Sequence, residues 1–149
     1  MRSLCGALAV LMLGLALVAC GDSSDDNAAQ QTPEEKAQAT VCTARDDISK
    51  QVDELKGLTA STVTIDGVKK NLAAIKTDLT EMTGAQKDLS SERRSEVEAA
   101  NKEFASSVEA IASQVVTSLS LGDAKTALVD ALQQLGQSYK DSFAQVDCG

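Results

Sequence analysis

Four stretches of this chain place apolar residues at intervals of three and four, and that spacing restricts them to helices. Val41, Ala44, Ile48, Val52 and Leu55 form the first stripe, and Val68, Leu72, Ile75, Leu79 and Met82 the second. Val97, Ala100, Phe104, Val108, Ile111 and Val115 form the third. The fourth runs through Ala124, Leu128, Leu132, Leu135, Tyr139, Phe143 and Val146. Strand side chains alternate every second residue, which none of these stripes does. The β-branched run from Thr59 to Ile65 has strand-like composition but no partner strand, so it reads as a connection. The expected fold is all-α: an antiparallel up-down four-helix bundle. The spacing is also close to a heptad, which keeps an oligomeric coiled coil as an alternative, while short connections favour the monomeric bundle.

With one Tyr, two Phe, no Trp and a single Pro, the core must be made of Ala, Leu, Val and Ile. Such a core is thin, and helices carrying small residues pack it best. Tyr139 and Phe143, at helical spacing on the fourth stripe, read as core residues.

Boundary signals agree with this outline. Thr32-Pro33-Glu34-Glu35 offers an N-cap, a proline at the first helical position and a glutamate at the third. The first helix is expected to run to about Leu58, stopped by Gly57 and the β-branched run. Asp66 is expected to cap the second helix and Gly84 to interrupt it. A third helix starts near Ser90 or Ser91, and a Ser-Leu-Gly-Asp turn at 120–123 precedes the fourth.

Ahead of the stripes, Arg2 is followed by an almost unbroken apolar run from Leu4 to Val18, short for a membrane span and suited to a secretory signal. It ends in Leu17-Val18-Ala19-Cys20, then Gly21 and a polar, acidic stretch. This segment resembles the lipobox of bacterial lipoproteins. The resemblance implies a signal peptide over 1–19, removed before Cys20, whose thiol carries a diacylglyceryl group with palmitate-type chains. Cys5 is then discarded with the signal. Two acyl chains anchor durably, at about 0.8 kcal/mol per buried CH2. Residues 20–31 form an expected disordered, lipidated tether that holds the domain roughly 20 Å from the bilayer. Residues 32–149 are the expected helical domain, facing outward from the cell membrane.

The net charge of -8 becomes more negative once Arg2 is lost. Lys69-Lys70 and Arg93-Arg94 are isolated pairs among acids, so nucleic acid and anionic lipid headgroups are disfavoured as partners.

Cys42 and Cys148 remain after export, and two leftover cysteines in an exported chain are expected to pair. Free thiols or a redox pair are the alternatives, but no CxxC motif or histidine activates either sulfur. Pairing also constrains topology. The start of the first helix and the end of the last meet only when the number of antiparallel helices is even.

Catalysis has little to stand on. Without histidine there is no Ser-His-Asp or Cys-His nucleophile, and no histidine ligand for zinc, haem or a di-iron centre. Asp46-Asp47 and Asp25-Asp26 are adjacent, so their carboxylates diverge on a helix or lie in the tether. Gly57, Gly67 and Gly84 lack the spacing of a phosphate loop, and Asp22, Asp25 and Asp26 lack that of a calcium loop. No catalytic residue, cofactor or metal is expected.

The whole chain loosely resembles small helical lipoproteins of high-GC Gram-positive bacteria, with a lipobox, an acidic tether, an early cysteine (Cys42) and a late one (Cys148). The murein-linked outer-membrane lipoprotein differs: it ends in a lysine used for wall attachment, whereas this sequence closes on Asp147-Cys148-Gly149. The leading expectation is a non-enzymatic module that binds an envelope or secreted protein while held to the bilayer through Cys20. An envelope spacer, or a carrier of a small hydrophobic ligand between the helices, are the alternatives.

Overall fold

The computed structural model describes residues 31–117 and 124–148, with no side-chain description for Thr117. The signal segment, Cys20, almost all of the tether and the 120–123 turn lie outside these residues. Four α-helices occur among them: α1 (Pro33–Lys56), α2 (Ile65–Ala85), α3 (Ser91–Thr117) and α4 (Ala124–Phe143), with a 3-10 turn at Gln86–Asp88. There is no strand among the described residues. The expected all-α four-helix bundle is what forms.

α1 starts as its sequence demands. The Thr32 hydroxyl accepts the Glu35 amide at 3.2 Å, and the Glu35 carboxylate accepts the Thr32 amide at 2.7 Å. This reciprocal capping satisfies two N–H groups that the first turn leaves without helical partners. Glu34 reaches across the bundle and accepts the Ser90 amide at 3.1 Å, joining the start of α1 to the start of α3.

Two boundaries differ from expectation. Thr64, and not Asp66, caps α2, its hydroxyl accepting the Gly67 amide at 3.2 Å. Asp66 falls in the first turn instead, where a carboxylate still complements the helix dipole. Gly84 does not interrupt α2, which continues to Ala85. A lone glycine costs a helix only about 1 kcal/mol, too little to end one supported by packing. The chain turns at Leu89, which is extended, and Arg94 holds the turn through three carbonyls, those of Gln86 (3.1 Å), Lys87 (2.9 Å) and Leu89 (3.0 Å). The run from Thr59 is a connection as expected: the hydroxyls of Thr59, Ser61 and Thr62 bond one another, and Val63 plugs the core.

Cross-helix bonds fix the antiparallel order. Asn71 of α2 donates to Glu54 near the end of α1 (3.2 Å), Asn101 of α3 to Leu79 of α2 (2.9 Å), and Ser107 of α3 pairs with Ser138 of α4 (2.7 Å). Along α4, Gln133 meets Lys56 and Tyr139 meets Arg45, so rising numbers on α4 face falling numbers on α1. Each helix packs on the next, and α4 returns to α1.

The core is the four stripes. Ile48, Val68, Ile75, Met82, Phe104, Val108, Val115 and Leu132 have no exposed surface. At about 25 cal/mol per Å² of apolar surface buried, such side chains contribute about 1.5–3 kcal/mol each. Gly136 of α4 leaves room for the Lys56 stem of α1, which a Cβ at that position would displace. That stem covers apolar surface while its ammonium pairs with Asp53 at 3.1 Å.

Candidate functional site at the disulfide end

The end of the bundle where α1 begins and α4 finishes concentrates the polar and covalent features of the domain. Cys42 lies on α1 beside buried Val41, and Cys148 lies on the strap that follows α4. Their sulfurs form a disulfide with a Cα–Cα distance of 5.6 Å, spanning 106 residues of sequence. The structure therefore brings together the two cysteines expected to pair, and the even number of helices is the reason they meet. Both cysteines are only half-buried.

One turn further along α1, Arg45 organises the junction. Its guanidinium donates to the Val146 carbonyl at 3.0 Å and pairs with Asp46 at 3.1 Å, while its own carbonyl accepts the Tyr139 hydroxyl at 2.8 Å. Val146 is itself buried, although it lies beyond the last residue of α4. The fourth stripe therefore continues past its helix, in a segment that is no longer helical.

All three aromatic rings of the chain gather in this half of the bundle. Phe104 meets Tyr139 edge-on at 5.5 Å and Phe143 at 5.7 Å, and Tyr139 and Phe143 are 5.1 Å apart. Edge-to-face pairs of this kind add about 0.5–1.5 kcal/mol beyond their burial. Phe143 is a core residue as expected. Tyr139 is half-buried, with its ring in the core and its hydroxyl on α1, so it is a core residue with a polar task. Burial holds its phenol above the ordinary value of 10.0, partly opposed by a hydrogen bond from Ser49 and the nearby Arg45 charge.

A groove of about 290 Å³ opens beside the disulfide, between α1, the start of α3 and the strap. Val41, Leu89, Val97 and Val146 form its apolar base, and Arg93, Glu92, Glu96 and Asp147 its charged sides. A larger groove of about 530 Å³ runs along α2 and α3. There Asn101, with 6% of its surface exposed, donates its amide to the Leu79 carbonyl (2.9 Å) and the Thr83 hydroxyl (2.7 Å). Its Oδ1 is buried without a hydrogen-bond partner.

Charge elsewhere is ordinary surface charge with two local features. Asp78 has its carboxyl raised above the ordinary value, first by partial burial and then by the neighbouring Asp47 and Glu81 charges. Lys50 is raised by its hydrogen bond and attraction to Asp47, 2.7 Å away. Among the described residues no group of three or more Cys, Asp or Glu converges to hold a metal ion. No helix among them is long and apolar enough to cross a membrane.

Sequence reasoning missed Arg45, Arg94 and Asn101. All three work through hydrogen bonds to main-chain carbonyls, and a carbonyl acceptor leaves no mark in the sequence. The position of Asn101 gave one usable signal: it is a polar residue whose helical neighbours at three, four and seven positions include Val97, Phe104, Ala105 and Val108.

Comparison of the chain with known protein families, with curated proteins and with solved structures finds no match.

Proposed function

We propose that this chain is a lipid-anchored protein of the cell envelope whose helical domain binds another envelope or secreted protein and performs no catalysis. The observation that carries the anchor is Leu17-Val18-Ala19-Cys20 at the end of an uncharged apolar run. The Cys42–Cys148 disulfide supports export, because such bonds persist in oxidising compartments and are rare in reducing ones. Recognition of a protein is favoured over carriage of a hydrophobic ligand by the way the axis of the bundle is occupied. Ile48, Ile75, Phe104, Val108 and Leu132 fill it, which leaves the outer faces and the grooves beside α3 as the surfaces available.

Two measurements test this reading. Cells fed a palmitate analogue should label the chain, and the Cys20→Ala form should stay unlabelled; equal labelling of both removes the anchor. Cross-linking of intact cells should then capture one envelope protein reproducibly, with capture reduced in the Cys20→Ala form. Capture of abundant neighbours alone would leave the domain as a spacer.

A further inference from the structure

We infer that the Cys42–Cys148 bond is a reducible latch: its reduction frees the strap at 144–148 and uncovers an apolar cleft between α1 and α3, while the four helices stay packed. The strap is a short segment outside any helix, a turn at 144–145 followed by irregular chain, and Val146 is its only buried side chain. Ala144, Gln145 and Asp147 are exposed. The bonds of Val146 are one from Arg45 to its carbonyl (3.0 Å) and one from its amide to Phe143 (3.2 Å). A five-residue segment with one apolar anchor must pay the ordering entropy of every residue it fixes, and the covalent bond is what makes that ordering inexpensive.

What the strap covers gives its release a consequence. Val41, Leu89 and Val97 are each at most 5% exposed, and all three line the groove walled by Gln145, Val146 and Asp147. With the strap gone, these side chains become one apolar patch at the junction of α1 and α3. The helices have further support in the aliphatic stripes, of which only Val146 lies on the strap, and in the Arg94 clamp.

Cys42 and Cys148 are both only half-buried, which leaves the bond near the surface for a dithiol reductant. The reductant's thiolate attacks one Sγ, a mixed disulfide forms, and the Sγ–Sγ bond breaks. The other cysteine leaves as a thiolate and takes a proton from water. The second thiol of the reductant, on losing its proton, displaces the remaining protein sulfur, giving two protein thiols and one oxidised dithiol.

Amide hydrogen exchange of the full chain in detergent, with and without dithiothreitol, tests the latch, and Cys148→Ser serves as the permanently open form. The expected result is exchange at least tenfold faster at 144–148 and around Leu89 in both open forms, with Ile48, Ile75, Val108 and Leu132 still the slowest-exchanging positions. Loss of protection throughout the helices would overturn the inference, because the bond would then be a requirement for folding. Unchanged exchange in the strap would overturn it as well, as would a bond that survives dithiothreitol under native conditions.

Discussion

The seam between α2 and α3 and the seam between α1 and α4 are closed by different means, and sequence separation explains the difference. α2 and α3 follow one another through a tight turn at 86–90, so bringing them together fixes few residues. The Arg94 clamp holds that turn, and Asn101 only adds amide bonds across the packed helices. α1 and α4 are the first and last helices of the domain's sequence. Their contacts join Arg45 to Tyr139 and Cys42 to Cys148, the latter across 106 residues. Loop-closure entropy grows as (3/2)RT ln n, so closing this seam costs roughly 3 kcal/mol more than closing the first. In the chain-entropy account a disulfide of this span contributes about 4.7 kcal/mol, more than the difference. The covalent bond is placed where closure is most expensive.

Removing the bond is therefore the largest expected effect. Cys42→Ser should lower unfolding stability by about 4 to 5 kcal/mol in chemical denaturation. A loss under 1 kcal/mol would show that the α1–α4 seam closes without covalent help, and the contrast between the seams would fail.

Phe104→Ala comes next, at about 3 to 5 kcal/mol, because it empties a fully buried site and removes both edge-on contacts to α4. The same loss with and without the disulfide would show that aromatic packing and the covalent bond act independently. A coupling above about 1 kcal/mol would make them one unit.

Asn101→Leu should have the opposite sign. It removes a buried acceptor that lacks a partner, and the Thr83 hydroxyl keeps its bond to the Leu79 carbonyl at 2.9 Å. Stability should rise by about 1 kcal/mol. A fall would mean that the amide bonds to α2 outweigh the buried oxygen, and that this seam too depends on one specific link.

The smallest effect is alkaline. Burial raises the Tyr139 phenol above 10.0, so the folded chain keeps a proton that the unfolded chain has lost. Its share of stability is pH-independent well below 10 and falls as pH rises from there toward the folded value. As the chain's only tyrosine, Tyr139 gives an unmixed phenolate absorbance. A midpoint at or below 10 would place its ring outside the α1–α4 seam.

Much of this architecture was legible because its signals are local. The capping box at Thr32 and the stripes through Ile48, Ile75, Phe104 and Leu132 follow from neighbours within four residues. The pairing of Cys42 with Cys148 was expected because they are the cysteines left once Cys5 and Cys20 are assigned to the signal and the anchor, and that pairing called for an even number of helices. Misjudged boundaries had competing local signals: Thr64 and Asp66 can both cap, and Gly84 weakens a helix without ending it. The groove beside the disulfide was not legible at all, because its walls come from three separated segments.

The sequence alone determined the helical class, the composition of the core, the acidic surface and the lack of histidine chemistry, since each depends on residue identity and short-range spacing. Tertiary structure decided the rest: where Arg45, Arg94 and Asn101 send their donors, what fills the space beside Gly136, and which apolar residues share a groove with the strap. Those choices depend on main-chain carbonyls and close approaches between segments as many as 106 residues apart, which exist only once the helices have packed.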